Sequence, residues 1–323
     1  MLKKFEHVVG EKASREKDVI AQEKHLHELE KREGTQFPGS DFHTDNHKEW
    51  MSALNLGDLK VKDVVWPATH DSATNDIGIP FITRPFAQCQ TLSIYDQLTA
   101  GVRAFDIRVD NHQHVCHGIL RSYKVDVVIN DIKRFMSETK AEIILVEFRT
   151  EYGYADPPNF DTWLIQQLGQ LLVPQDPVVF DKVLKDLLPA RVICVWKPNK
   201  TPAPSPGSPL WSSGFLKDNW TDTDLPETKF DANLKFLGEQ APNSSRKYFY
   251  RVENTATPQT SSFVLDVYSV TNRIRKFARL FLSQAFKKGF GDRLQIFASD
   301  YIEADFIDAC IGVTVSRHTQ TSE

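Results

Sequence analysis

Ionisable residues close a series of apolar runs in this 323-residue chain. "DVVWPATHD" ends at His70 and Asp71, "AFDIRV" carries Asp106 and Arg108, "VCHG" carries His117, "ILVEFRT" ends with Glu147 and Arg149, and "IFASDYI" carries Asp300. A histidine, with an ordinary pKa of about 6.5, can take and return a proton near neutral pH, whereas a guanidinium stays charged and can fork onto two oxygens of one anion. Such a set suits proton transfer to and from oxygens at an anionic centre. Taken singly the residues say less. A lone His70 is more often a structural histidine satisfied by its neighbours. Asp106 and Arg108, two apart on a strand, share a face and could equally be a structural ion pair. Structural pairs do not explain the same placement strand after strand.

The elements that must hold these groups alternate. From Trp50 onward, short apolar runs ("DVVWPATH", "VRAFDIRV", "AEIILVEFRT", "ARVICVWKP") are separated by amphipathic stretches ("TLSIYDQLTAG", "KVDVVINDIKRFMSETK", "TWLIQQLGQLL"). "IILVEF" and "VICVW" are apolar on both faces, as strands of a helix-covered parallel sheet are. "KYFYRVEN", "FVLDVYS" and "LQIFASDYI" read as further strands, and "TNRIRKFARLFLSQAFKKG" as a helix before the last of them. The order predicts an α/β fold, a single irregular TIM-type (β/α)8 barrel. Active sites of that fold lie at the carboxyl ends of the strands, where the ionisable residues gather. Residues 1–45, rich in Lys, Glu and His with a broken apolar stripe, read as a polar helical extension before a barrel over residues 46–323.

Composition narrows the class without choosing the function. With 41% hydrophobic and 25% charged residues and a formal charge of −4, the chain looks globular and has no overall attraction to nucleic acid. The opening residues lack the apolar core of a signal peptide, and no segment reaches the roughly 18 apolar residues that span a bilayer. The expectation is a cytoplasmic protein, at most peripheral at a membrane. Cys89, Cys116, Cys194 and Cys310 lack zinc-site spacing and are read as reduced thiols. "IGIPFITRPFA", residues 77–87, could be an apolar rim that dips into a membrane or a cap on the barrel. The basic helix at 272–288 is read as an outer barrel helix with a solvated face, rather than a membrane-surface helix.

Five blocks in order, "THDSAT", "QLTAGVRAFDIRV", "CHG" with "VDVVINDIKRFM", "EIILVEF" and "FASDYI", resemble the X domain of phosphatidylinositol-specific phospholipase C, and they span most of residues 50–305. The resemblance implies that His70 takes the proton of an inositol 2-hydroxyl that attacks phosphorus, and that His117 protonates the departing diacylglycerol oxygen. Arg108 would stabilise the phosphate, Asp300 would orient His70, and Asp71 and Asp106 would link the arginine to His117. The products would be diacylglycerol and a cyclic inositol phosphate.

Members of the family that use calcium carry an acidic residue where this chain has Arg108, so the resemblance implies a metal-free enzyme with no cofactor. Calcium held by Asp71, Asp106 and Glu147 is the alternative. Arg149, Lys197 and Asp218 lie roughly where bacterial-type enzymes hold the inositol hydroxyls. The substrate would be a phospholipid at a membrane surface. A glycerophosphodiester or sphingolipid substrate, or a catalytically weak lipid-binding protein, are the alternatives.

Overall fold

The computed structural model describes residues 2–321, with side chains from His7 to Thr319. Its strands are β1 (Trp66–Thr69), β2 (Ala104–Val109), β3 (His114–His117), β4 (Leu120–Lys124), β5 (Ile144–Thr150), β6 (Val192–Lys197), β7 (Trp211–Ser212), β8 (Leu216–Asp218), β9 (Phe249–Asn254) and β10 (Ile296–Ser299). Eight of them form a nearly closed barrel in the order β7-β6-β5-β2-β1-β10-β9-β8, with every neighbouring pair parallel. β7 and β8 end that order, so the seam without ladder bonds lies between them. β3 and β4 form a hairpin that pairs antiparallel with β2.

The helices are α1 (Leu2–Glu33), α2 (Trp50–Ala53), α3 (Ile94–Thr99), α4 (Asp126–Glu138), α5 (Phe160–Leu168), α6 (Pro226–Gly238), α7 (Val267–Arg275), α8 (Ala278–Lys287) and α9 (Ala304–Thr321). α4 shows why such segments coat a barrel: Val128, Ile129, Ile132, Phe135 and Met136, at helical spacing, are buried on one side. β5 and β6 are buried at nearly every position, between the barrel interior and this outer layer.

Two expected elements differ. "FVLDVYS" is not a strand: residues 263–266 are irregular and α7 begins at Val267, capped by the Asp266 side chain, which accepts from Ser269 N at 2.8 Å. A side-chain cap satisfies one of the orphan N–H groups of a helix start and favours helix over the strand that the valines suggested. The basic stretch at 272–288 is two helices that break at Lys276 and Phe277. Its basic face is solvated only in part: Lys276, Lys287 and Lys288 are exposed. Arg273 is buried against Asp224 at 3.0 Å, while Lys276 and Lys287 pair with Glu23 and Glu33 at 2.9 and 3.0 Å.

Glu23 and Glu33 belong to α1, a single 32-residue helix laid on the barrel's side. Val19 and Leu26, two turns apart, are its buried apolar contacts, and Arg15 reaches Asp224 at 2.6 Å from the side opposite Arg273. The chain then crosses α9 closely: a Cβ on Gly39, whose φ is +85°, would collide with the Gly312 carbonyl. Just beyond, His43 Nδ1 and His47 Nε2 each lie 2.7 Å from the buried Asp308 of α9.

Candidate active site

β1 ends one residue before His70, and Asp71 takes a left-handed backbone with φ +42°. Successive side chains on a strand point to opposite faces, so this bend is what lets His70 and Asp71 face one site. The bend is tied to β2 at several points. Ser72 N donates to Asp106 O at 2.8 Å, Asp106 N to Ser72 Oγ at 2.8 Å, and Asp71 N to Asp106 Oδ2 at 3.2 Å. From below, Gln90 Nε2 donates to the carbonyls of His70 and Ser299 at 3.0 and 2.9 Å.

Asp300, directly after β10, lies 2.9 Å from His70 Nδ1, while its other oxygen accepts from Thr271 at 3.0 Å. At the other ring nitrogen, Arg108 Nη2 is 2.9 Å and Asp71 Oδ2 3.4 Å from His70 Nε2. The arginine contact requires Nε2 to accept and so belongs to the neutral imidazole; protonation would turn that N–H toward Asp71. Burial works against the charged ring, but Asp300 and Asp71 outweigh both burial and the repulsion of Arg108, raising the His70 pKa to about 9. Trp220 stacks on the ring at 5.2 Å between centroids.

Arg108 is gripped by acids. Its Nε is 2.9 Å from Asp71 Oδ1, its Nη2 3.0 Å from Asp106 Oδ2, and its Nη1 3.6 Å from Glu151 Oε2. Burial disfavours charge on Asp106, yet Arg108 and Arg251 hold its carboxyl well below the usual range. His117 ends β3 beside Gly118, whose φ is +56°, and is 28% exposed. Its Nδ1 lies 2.8 Å from the Ala87 carbonyl, which leaves Nε2 facing Asp71 Oδ2 at 3.4 Å. Asp71 thus sits between the two histidines and the arginine.

Strand register extends the site. Arg108, Arg149 and Lys197 are opposite one another on β2, β5 and β6, and Asp106 and Glu147 are opposite one another one pleat deeper. Arg149, Lys197 and Asp218 line a cleft of about 330 Å³ together with Arg108, Trp220, Arg251 and Glu253. Glu147 points into the barrel beneath it and is bound by Arg251 Nη1 at 2.8 Å. As a calcium site, Asp71, Asp106 and Glu147 fit poorly: each already has a guanidinium as its partner, and the cation would have to displace Arg108 and Arg251. His112 lies on the loop between β2 and β3, and His114 opens β3, 3.5 Å from Asp110. All four cysteines are buried and free, and Cys89 lies 4.0 Å from Asp71.

Sequence reasoning did not single out Glu151, Trp220, Arg251 and Glu253. Arg251 and Glu253 had a usable signal, because R-V-E repeats the charge-x-charge spacing of D-I-R at 106–108 and E-F-R at 147–149, again at a strand's carboxyl end. Trp220 and Glu151 lie on loops beyond β8 and β5, where spacing predicts no direction.

An eight-stranded parallel barrel with a histidine, carboxylate and arginine centre at its carboxyl-end face defines the class of protein. Residues 66–188 match the sequence model of the family described as "Phosphatidylinositol-specific phospholipase C, X domain". A "1-phosphatidylinositol phosphodiesterase" of Listeria monocytogenes is 35% identical over 35% of this chain and 36% of its own length. A PI-PLC X-box domain-containing protein of Dictyostelium discoideum is 29% identical over 64% of this chain and 31% of its own length. The chain thus spans about a third of either curated relative. The solved structure "phosphatidylinositol-specific phospholipase C from Listeria monocytogenes" superposes with a TM-score of 0.66 at 20% identity, covering 83% of this chain and 98% of that one, and so shares the fold.

Proposed function

We propose that the protein is a phosphodiesterase that cleaves phosphatidylinositol, or a closely related inositol lipid, to diacylglycerol and a cyclic inositol phosphate without a metal. The observation that carries this reading is the convergence of His70 and His117 on Asp71, each ring 3.4 Å from the same carboxylate oxygen, with Arg108 bound to its other oxygen.

His70 in its neutral form, populated increasingly as pH rises toward 9, takes at Nε2 the proton of the inositol 2-hydroxyl, whose oxygen attacks phosphorus. Asp300 holds the opposite nitrogen and stabilises the imidazolium that forms. Arg108 forks onto the non-bridging oxygens as charge builds there. His117, protonated on Nε2, gives that proton to the diacylglycerol oxygen as its bond to phosphorus breaks, while Ala87 keeps the ring turned toward the site. Arg149, Lys197 and Asp218 hold the ring hydroxyls. In place of a calcium ion, Arg108 supplies the positive charge.

Purified protein on phosphatidylinositol vesicles tests this, with phosphorus NMR following the products in excess chelator and again in calcium. Equal cyclic phosphate in both conditions, lost in Arg108→Asp, is the expected result. Activity only with calcium would overturn the metal-free mechanism. Free choline released from sphingolipid would move the substrate elsewhere. Lipid binding without turnover, unaffected by His70→Ala and His117→Ala, would make the protein a lipid-binding one.

A further inference from the structure

Four Ser-Pro or Thr-Pro pairs occur in the chain, at Thr201, Ser205, Ser208 and Thr257, and three of them crowd into "TPAPSPGSP" at 201–209. The fold treats the four unequally. Thr257 keeps its hydroxyl buried. Ser208 is half-buried, and its Oγ accepts from Leu210 N at 3.2 Å. Ser205 is exposed but opens a turn: its carbonyl accepts from Ser208 N at 3.1 Å and from Gln175 Nε2 at 2.9 Å, and Gly207 has φ +81°. Thr201 is exposed, and the chain from Pro202 to Pro204 forms neither helix nor turn. The two prolines fix their own φ and push Thr201 and Ala203 before them into extended backbone, the shape in which a segment can lie along an enzyme's groove.

We propose that Thr201 is a phosphorylation site for a proline-directed Ser/Thr kinase, and that the phosphate releases this loop from Asp156. The site is independent of the reaction proposed above. In the transfer, Thr201 Oγ1 attacks the γ-phosphorus of ATP, the bond to ADP breaks, and the hydroxyl proton passes to the kinase's base. Asp156 is what fastens the loop. Its Oδ1 accepts from Thr150 Oγ1 and Asn199 N, both at 2.6 Å, and its Oδ2 from Lys200 N at 2.8 Å and Thr201 N at 2.7 Å. Burial disfavours charge on this carboxyl, but the Thr150 hydroxyl and the three amides hold its pKa down to about 2, so it is charged at neutral pH. A phosphate on Thr201 adds about −1.5 to −2 charges on the residue whose own amide binds that carboxylate. The like charges repel, and the phosphate oxygens compete for the same N–H groups.

The test treats the full chain with ATP, magnesium and a purified proline-directed kinase that labels a control substrate, and maps the phosphate by peptide mass spectrometry. Thr201 is expected to carry most of it, at least about tenfold more than Thr257, which must open locally before it can react. Thr201→Val should remove most of the incorporation while melting close to the wild type. No phosphate on the folded chain, or phosphate chiefly on Ser205, Ser208 or Thr257, would overturn the site. Hydrogen exchange then reads the release: amides at 199–201 should exchange at least about tenfold faster in the phosphorylated chain. Exchange that is unchanged, or slowed as pairing of the phosphate with the exposed Lys200 would make it, refutes the release from Asp156.

Discussion

At the scale of single residues, the site is a contest over His70. Asp300 and Asp71 favour its charged form, whereas burial and Arg108 oppose it, and the carboxylates prevail with a pKa of about 9. We expect the His70 ring resonances in NMR to titrate near pH 9 and to move down in Asp300→Asn, because only Asp71 then remains to oppose burial and Arg108. The raised value also fixes the sign of its effect on stability. Bound protons favour the folded state, so the contribution is complete below about pH 6.5 and disappears as pH rises through about 9. Comparing melting temperatures of wild type and His70→Asn from pH 6 to 10 should show the wild type's relative advantage shrinking across that window; an advantage that grew would refute the assignment. His70, Asp106, Arg108 and His117 were legible in the sequence because each closes an apolar run. The link of Asp71 to His117 was implied by the resemblance, but its simultaneous approach to His70 was not legible, since it depends on one left-handed backbone angle.

At the scale of elements, period-two and helical patterns exposed the central strands and the coating helices, and they failed where length or capping overrode pattern. β7 and β8 have two and three residues, too few for any alternation, and α7 owes its start to Asp266. α1 was readable as helical, but its place on the barrel rests on ion pairs between residues some 200 positions apart, such as Arg15 with Asp224. Asp224 is fully buried between Arg15 and Arg273. Removing one partner of a buried pair leaves the other charge uncompensated, so Asp224→Ala should cost about 3–5 kcal/mol in urea unfolding. A loss below 1 kcal/mol would mean that α1 is held by its apolar contacts instead.

At the scale of the whole molecule, one end of the barrel carries most of its exposed apolar surface. Ile79, Phe81, Ile82 and Phe86 follow β1, Ile119 tips the hairpin, Tyr152 follows β5, Trp220 follows β8, and Phe263 and Leu265 follow β9. Phe81 is 97% exposed. Exposed apolar side chains gathered at one end often mark a binding surface, and here they lie on loops at the carboxyl-end face that carries the proposed site. Phe81→Ser with Phe86→Ser should weaken binding to phosphatidylinositol vesicles by at least about tenfold, since even half-burial of the two side chains contributes more than about 1.4 kcal/mol, and should leave the cleavage of a soluble analogue near wild type. A fall on the soluble analogue alone would show that the loop acts through the Ala87 carbonyl on His117 instead. No helix among the described residues is long and apolar enough to cross a membrane.

The seam between β7 and β8 has a consequence for assembly. An unlaced barrel has two free edges, and an unpaired edge is a template on which another chain can add a strand and begin to aggregate. This barrel limits the hazard by brevity. Its edge strands are Trp211–Ser212 and Leu216–Asp218, joined by a single 3-10 turn at Ser213–Phe215, so a foreign strand would find purchase for only a few bonds. Backbone amides at 211–218, with few ladder bonds to hold them, should be among the barrel's first to exchange with deuterium.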